Sequence, residues 1–259
     1  MMAGENEVAA DDDAAGSAPR VGERIAKFLA RAGISSRRAA EAMIAAGRVV
    51  HNGQPVTHPA TFVAPGDVVL VDGRAVAAPE RTRLWRYHKP SGLVTTHRDP
   101  EGRPTVFEKL PPALPRVISV GRLDLTSEGL LLLTNDGGLA RWLELPATGW
   151  IRRYRVRVHG AVDPAALAAL ARGTTIEGVR YGPIEAGLDQ RKGENAWLSV
   201  ALREGRNREI RKVMAALGLA VTRLIRISYG PFQLGLLPRG AVEEIPARVL
   251  REQLPKPGA

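Results

Sequence analysis

The chain has 259 residues, of which 44% are hydrophobic, 25% charged and 5% aromatic, and none is cysteine. That length allows one or two domains with aliphatic cores. The missing cysteine excludes a disulfide framework, thiolate metal sites and a thiol nucleophile, and no apolar run approaches the roughly 20 residues of a membrane span. Lys and Arg number 37 against 27 acids, a formal +10. The first 19 residues hold five acids and no base, so the rest sets 37 bases against 22 acids, a formal +15. A field of that sign favours an anionic polymer as partner. A membrane surface fits less well, because no basic amphipathic stretch carries bulky apolar anchors.

Residues 1–20 are Ala, Asp, Glu and Gly with few apolar groups, and read as a disordered acidic tail. This acidic start is the reverse of a signal peptide's basic one and points to the cytoplasm. From Val21 apolar residues recur at helical spacing through Ile25, Phe28, Leu29 and Ala32, with Gly33 as the stop. Ser35 is the expected N-cap of a second helix carrying Ala39, Ala42, Met43 and Ala46. Residues 49–56 read as a hairpin about Asn52-Gly53, and 68–71 as another strand. A boundary is expected at Pro79-Glu80. Beyond it, strands are expected at 84–88, 117–120, 129–134, 154–158, 197–202 and 220–228. Helices are expected at 139–145, 165–171 and 207–217, and a short tail at 251–259. Strands outnumber helices without regular βαβ alternation, which predicts an α+β fold with a mostly antiparallel sheet.

The first helical pair displays Arg24, Lys27 and Arg31 on one face, Arg37 and Arg38 at the next helix start, and then Arg48. Taken alone this is a solvated basic face or a phosphate-tracking patch. The run from Arg24 to Arg38, with Gly47-Arg48-Val49 and Asn52-Gly53, resembles the alpha-L RNA-binding module, the ribosomal-protein-S4-like domain, over about residues 21–80. The resemblance implies structured RNA as partner and no reaction.

The second constellation is Gly121-Arg122-Leu123-Asp124-Leu125-Thr126-Ser127-Glu128-Gly129, continuing to Gly137, which sets a carboxylate in a Gly-bounded turn after a strand. An aspartate there can simply form an Asx turn. Other pieces occur in order: Lys89-Pro90-Ser91-Gly92, Asp99 with Gly102-Arg103-Pro104-Thr105, Tyr154 within Arg153-Tyr154-Arg155, Gly205-Arg206-Asn207-Arg208-Glu209-Ile210-Arg211, and Arg223-Leu224-Ile225-Arg226. Together they resemble the RsuA/RluB type of ribosomal RNA pseudouridine synthase, and within it the B-type enzymes of the large subunit, over about residues 21–248. The catalytic domain is then expected at about 81–250.

That resemblance implies isomerisation of uridine in ribosomal RNA, 23S before 16S. The reaction involves no redox step and no net hydrolysis, so no cofactor and no metal are expected. The resemblance makes Asp124 the nucleophile or base at C1′, Arg211 its counter-charge and Tyr154 the aromatic that stacks on the base. Ile225 is the expected apolar wall, and Arg122 and Arg208 the expected substrate contacts. Arg203, Arg206, Arg208, Arg211, Lys212, Arg223 and Arg226 form the expected RNA grip of the catalytic domain. The target base must leave its stack, at a cost of a few kcal/mol. A monomer acting on rRNA or pre-ribosomal particles is the expectation. The rival reading is a non-catalytic RNA-binding assembly factor on the same fold. The histidines at 51, 58, 88, 97 and 159 show no metal-ligand spacing.

Overall fold

The computed structural model describes residues 22–253; the acidic tail and the last residues of the chain lie outside them. The chain divides into two compact units, one ending at Glu80 and one beginning at Arg81.

The first unit comprises β1 (Glu23–Arg24), α1 (Ile25–Arg31), α2 (Arg37–Ala45), β2 (Val49–His51), β3 (Gln54–Pro55), β4 (Phe62–Val63), β5 (Val69–Val71) and β6 (Arg74–Ala75). Strands β3, β2, β5 and β6 form one sheet in that order, and β1 pairs with β4. Ile25, Leu29, Ala40, Ile44, Val49 and Val69 share its core. The second helix sits one residue away from the sequence expectation. Ser36, not Ser35, caps it by accepting from Ala39 N–H at 3.1 Å, so the buried stripe is Ala40 and Ile44, while Ala39, Ala42 and Ala46 face water. An alanine-rich helix has too little contrast between its faces to register from sequence. Asn52 and Gly53 take φ of 48° and 81°, the paired left-handed turn a two-residue hairpin requires.

The second unit contains β7 (Leu84–Lys89), β8 (Ile118–Val120), β9 (Ser127–Thr134), α3 (Gly137–Glu144), β10 (Arg152–His159), α4 (Pro164–Ala169), β11 (Thr174–Ile176), β12 (Val179–Tyr181), β13 (Ile184–Lys192), β14 (Asn195–Leu202), α5 (Glu209–Ala216), β15 (Ala220–Tyr229), β16 (Phe232–Gln233), β17 (Val242–Glu244) and α6 (Ala247–Gln253). The main sheet runs β13-β14-β10-β15-β9-β7-β17, with β8 on β9 and β16 on β15. Its pairings are antiparallel except for β15 with β9, which is parallel, so the fold is α+β as the sequence predicts. The parallel pair joins two halves. In one, α4 and α5 cover the face that carries Val156, Val158, Leu198 and Val200. In the other, α3 packs on Leu130 and Leu132, while Leu131 and Leu133 face a separate cluster with Trp85, Tyr87 and Val106. All eight residues of β9 are buried, as expected of a strand packed on both faces.

The junction depends on Gly129, whose φ is 101° and whose absent Cβ would lie 2.2 Å from the Arg226 carbonyl oxygen. Gly178 also has positive φ, 75°, but nothing stands within 4 Å of its Cβ position. Gly129→Ala adds a steric clash to backbone strain and should cost about 2–4 kcal/mol, against about 1 kcal/mol for Gly178→Ala. Urea midpoints of the two variants measure the difference. Equal midpoints would show that the junction relaxes freely.

Candidate active site

Asp124 sits in a tight loop between β8 and β9, closed by Ser127 N–H donating to the Asp124 carbonyl at 3.0 Å. Its side chain is 32% exposed, open enough to meet a substrate. The loop is held from the segment that follows β7. Thr95 Oγ1 donates to the Leu123 carbonyl at 2.8 Å and accepts from Leu123 N–H at 3.3 Å. Gly92 N–H donates to the Leu125 carbonyl at 2.8 Å.

Beneath the loop lies Lys89, fully buried at the end of β7. Its ammonium donates to the carbonyls of Ser127 at 2.9 Å, Pro90 at 3.0 Å and Asp124 at 3.1 Å, with Leu125 at 3.4 Å. Three N–H donors thus meet a cup of carbonyls that sets the backbone of the carboxylate-bearing residue. Burial pulls the Lys89 pKa down to about 8, opposed by the nearby charges of Asp124 and Glu128, so at neutral pH the ammonium keeps its proton. The sequence shows Lys89 only as part of a matching motif; its role appears when its carbonyl partners are seen.

Helix α5 brings the guanidinium groups. Arg208 stands at its N-cap in the left-handed conformation, φ 52° and ψ 30°, and its Nη1 is 3.8 Å from Asp124 Oδ2. Arg211 binds the loop and not the carboxylate directly. Its Nη2 donates to Thr126 Oγ1 at 3.0 Å and its Nη1 to the Val221 carbonyl at 3.1 Å. Burial and the charge of Arg208 lower the Arg211 pKa, and Asp124 opposes them. The pair that meets is therefore Asp124 with Arg208, while Arg211 ties α5 to the residue two beyond Asp124. Glu209 is buried, accepts from Arg206 N–H at 3.0 Å, and has its pKa raised by burial.

Tyr154 is buried on β10, in the cluster that contains Leu224 and the α5 residues Ile210 and Val213. Ile225 lies elsewhere. It pairs in register with Arg155 and Glu128 and packs toward the cluster around Leu130. Alternate residues of a strand face opposite ways, so the apolar residue of β15 on the Tyr154 side is Leu224, which sequence alone does not separate from its neighbour. Arg122 is exposed.

The structure also corrects the expected RNA grip. Arg226 is 3% exposed and donates through Nε to the Leu130 carbonyl at 2.7 Å. Arg223 donates to the Glu128 carboxylate at 2.7 and 3.0 Å, and Arg239 reaches the same carboxylate at 3.2 Å. In the first unit Lys27 and Arg31 face Glu23, at 3.4 and 2.8 Å, and Arg48 pairs with Asp72 at 2.6 Å. Arg24, Arg37 and Arg38 are exposed. Among the described residues no group of three His, Asp or Glu is placed to hold a metal ion, and no helix is long and apolar enough to cross a membrane.

Lys89→Met removes the donors from buried carbonyls, at about 1–3 kcal/mol for each group left unpaired. Turnover at pH 7 should fall at least about tenfold as the loop loosens. The pH dependence has a definite sign. An unfolded lysine holds its proton to about pH 10.4, whereas the folded one gives it up near 8. Between those values the unfolded state binds the extra proton, so this group makes stability rise with pH. Urea midpoints from pH 8 to 10 should climb more in the parent chain than in Lys89→Met; parallel profiles would show that Lys89 is not the titrating group.

Comparison with known proteins accords with this geometry. A family described as RNA pseudouridylate synthase matches residues 83–216, and the S4 domain matches residues 23–76. The chain is 46% identical over 230 residues to an uncharacterized RNA pseudouridine synthase of Rickettsia felis, covering 89% of this chain and 100% of the relative. It is 45% identical over 231 residues to ribosomal large subunit pseudouridine synthase B of Haemophilus influenzae, covering 86% of this chain and 65% of the relative. The Salmonella typhi protein of that name is 43% identical over 230 residues, covering 86% and 79%. A crystal structure of a pseudouridylate synthase superposes with a TM-score of 0.61 at 25% identity, covering 88% of this chain and 98% of the other. With the synthase match spanning its second unit and the S4 match its first, this chain belongs to the RNA pseudouridine synthase family.

Proposed function

We propose that the chain isomerises a uridine of ribosomal RNA, in the large subunit, with Asp124 as the group that attacks or deprotonates the sugar. The observation that carries this is the carboxylate held over a buried ammonium, with a guanidinium 3.8 Å from one oxygen. In the reaction the N1–C1′ bond of the uridine breaks, uracil turns, and C5 bonds to C1′. The C5 proton is lost and N1 regains one, so composition is unchanged and no external oxidant or reductant enters. A carboxylate suits the step because it can form and release a bond to C1′ or take a proton from the sugar. The large-subunit target rests on the names of the Haemophilus and Salmonella relatives. Ribosomal RNA as substrate places the enzyme in the cytoplasm, on free RNA or on pre-ribosomal particles.

The site residues divide the work. Arg208 neutralises Asp124 before substrate enters, and an RNA phosphate then competes for the same guanidinium. Arg211 holds the loop through Thr126. Tyr154 and Leu224 give the flipped base an apolar seat, and the exposed Arg122, two residues before Asp124, contacts the substrate. Arg24, Arg37 and Arg38 of the S4 domain engage RNA phosphates.

Asp124→Asn keeps side-chain size and removes the charge, and no other carboxylate of the loop can stand in, since Glu128 is committed to Arg223 and Arg239. Single-turnover tritium release from C5-labelled rRNA should fall about a thousandfold or more, with RNA affinity within a few-fold. Near-native release would refute the assignment. Arg211→Met should cut turnover far more than affinity; a loss confined to binding would make Arg211 a phosphate contact.

A further inference from the structure

The half-sheet β13-β14-β10-β15 is covered on one face only. Helices α4 and α5 pack on the face of Tyr154, Val156, Val158, Leu198 and Val200. The other face carries Arg153, Arg155 and Arg157, which alternate along β10 and are all exposed. Arg155 lies 4.7 Å over the ring of Trp197 on β14. Beside them a shallow cavity of about 390 Å³ is lined by residues of β10, β13, β14 and β15, among them Arg153, Tyr154, Ser199, Val200, Ala201 and Ile227. The acids along this face stand on the edge strand β13, where Asp189 accepts from Ser199 Oγ at 2.7 Å and Glu185 borders the cavity.

We propose that this open face binds a single-stranded segment of the RNA substrate that flanks the target nucleotide. The inference rests on RNA being the substrate and adds a second surface, on the sheet face opposite Tyr154. Alternate residues of a strand are about 6.8 Å apart, comparable with the phosphate repeat of an extended RNA strand. Three arginines in such a row match a polyanion laid along β10. The Trp197 ring holds the Arg155 guanidinium beside it, and its other side offers an unstacked base a flat cationic partner. The glycine at 187 and the small residues Ser199 and Ala201 leave the floor open beside it. A duplex, whose bases are already stacked, gains nothing from that plane, so the geometry selects single strands.

The test uses the full chain with a 12-nucleotide oligouridylate and a duplex RNA of equal length as probes. The variants are Arg155→Gln/Arg157→Gln, both exposed and compatible with folding, and Trp197→Leu. Each should bind the oligouridylate about tenfold more weakly and the duplex unchanged. The double variant should also lower the salt slope by about 1.4, the value for two contacts to a single strand. Unchanged oligouridylate affinity and slope would overturn the proposal, as would equal losses for the duplex. Tritium release by the parent chain is measured separately. Its failure would sink the synthase reading, while the binding data would still decide the surface.

Discussion

A buried ammonium governs the site. Lys89 has no solvent to turn to, so its three donors must find oxygens, and those it finds are the backbone carbonyls of Pro90, Asp124 and Ser127. Removing such a charge from water costs several kcal/mol unless it is paired and hydrogen-bonded. The loop can meet that demand only in the one arrangement that points its carbonyls inward and its Asp124 side chain outward. The constraint also accounts for the two nearby carboxylates, since Asp124 and Glu128 both stabilise the charge. Rigidity of the carboxylate thus comes from an interaction that never touches it.

The same logic orders the sheet. Ser127 begins β9, and its register partner on the parallel strand is Leu224, followed by Ile225 with Glu128 and Arg226 with Gly129. The Asp124 loop therefore enters the sheet where the two halves meet, and the close approach allowed by Gly129 lets Arg226 span the seam to the Leu130 carbonyl. Helix α5, attached to one half by Ile210 and Val213, extends Arg208 and Arg211 toward a loop that belongs to the other. Any relative shift of the halves would separate Asp124 from Arg208, so the parallel pair sets the active-site distance.

How much of this could be read from residues alone follows from the size of each signal. The strands with a dry and a wet face, such as β10, show their alternation in sequence and occur where expected. β13 does not, because as an edge strand it buries little beyond Ile184 and presents polar residues on both sides. The short β11, β12 and β17 lack the length to show a period. Asp124, Tyr154 and Arg211 are candidates that the ordered motifs supply before any coordinates. The division of labour between Arg208 and Arg211 did, because one helical turn separates them and only the N-cap geometry decides which points at Asp124. Leu224 and Ile225 illustrate the same limit, since adjacent apolar residues in a strand are equivalent until a bulge and a register are known.

Net charge overstates the RNA grip for a related reason. A guanidinium that has lost solvent to a carboxylate or a carbonyl cannot also release counterions from RNA. Arg226 is buried against the backbone, while Arg223, Arg239, Arg103 and Arg48 divide their guanidinium groups between carboxylates and solvent. Those that stay outward include Arg24, Arg37, Arg38 and Arg74 in the first unit, and Arg122, Arg153, Arg155, Arg157, Arg180 and Lys212 in the second. An arginine-rich chain can therefore be strongly cationic by composition while part of that charge is held in internal pairs. Within the second unit, where such cations lie relative to Asp124 is a property of the fold and not of the charge total.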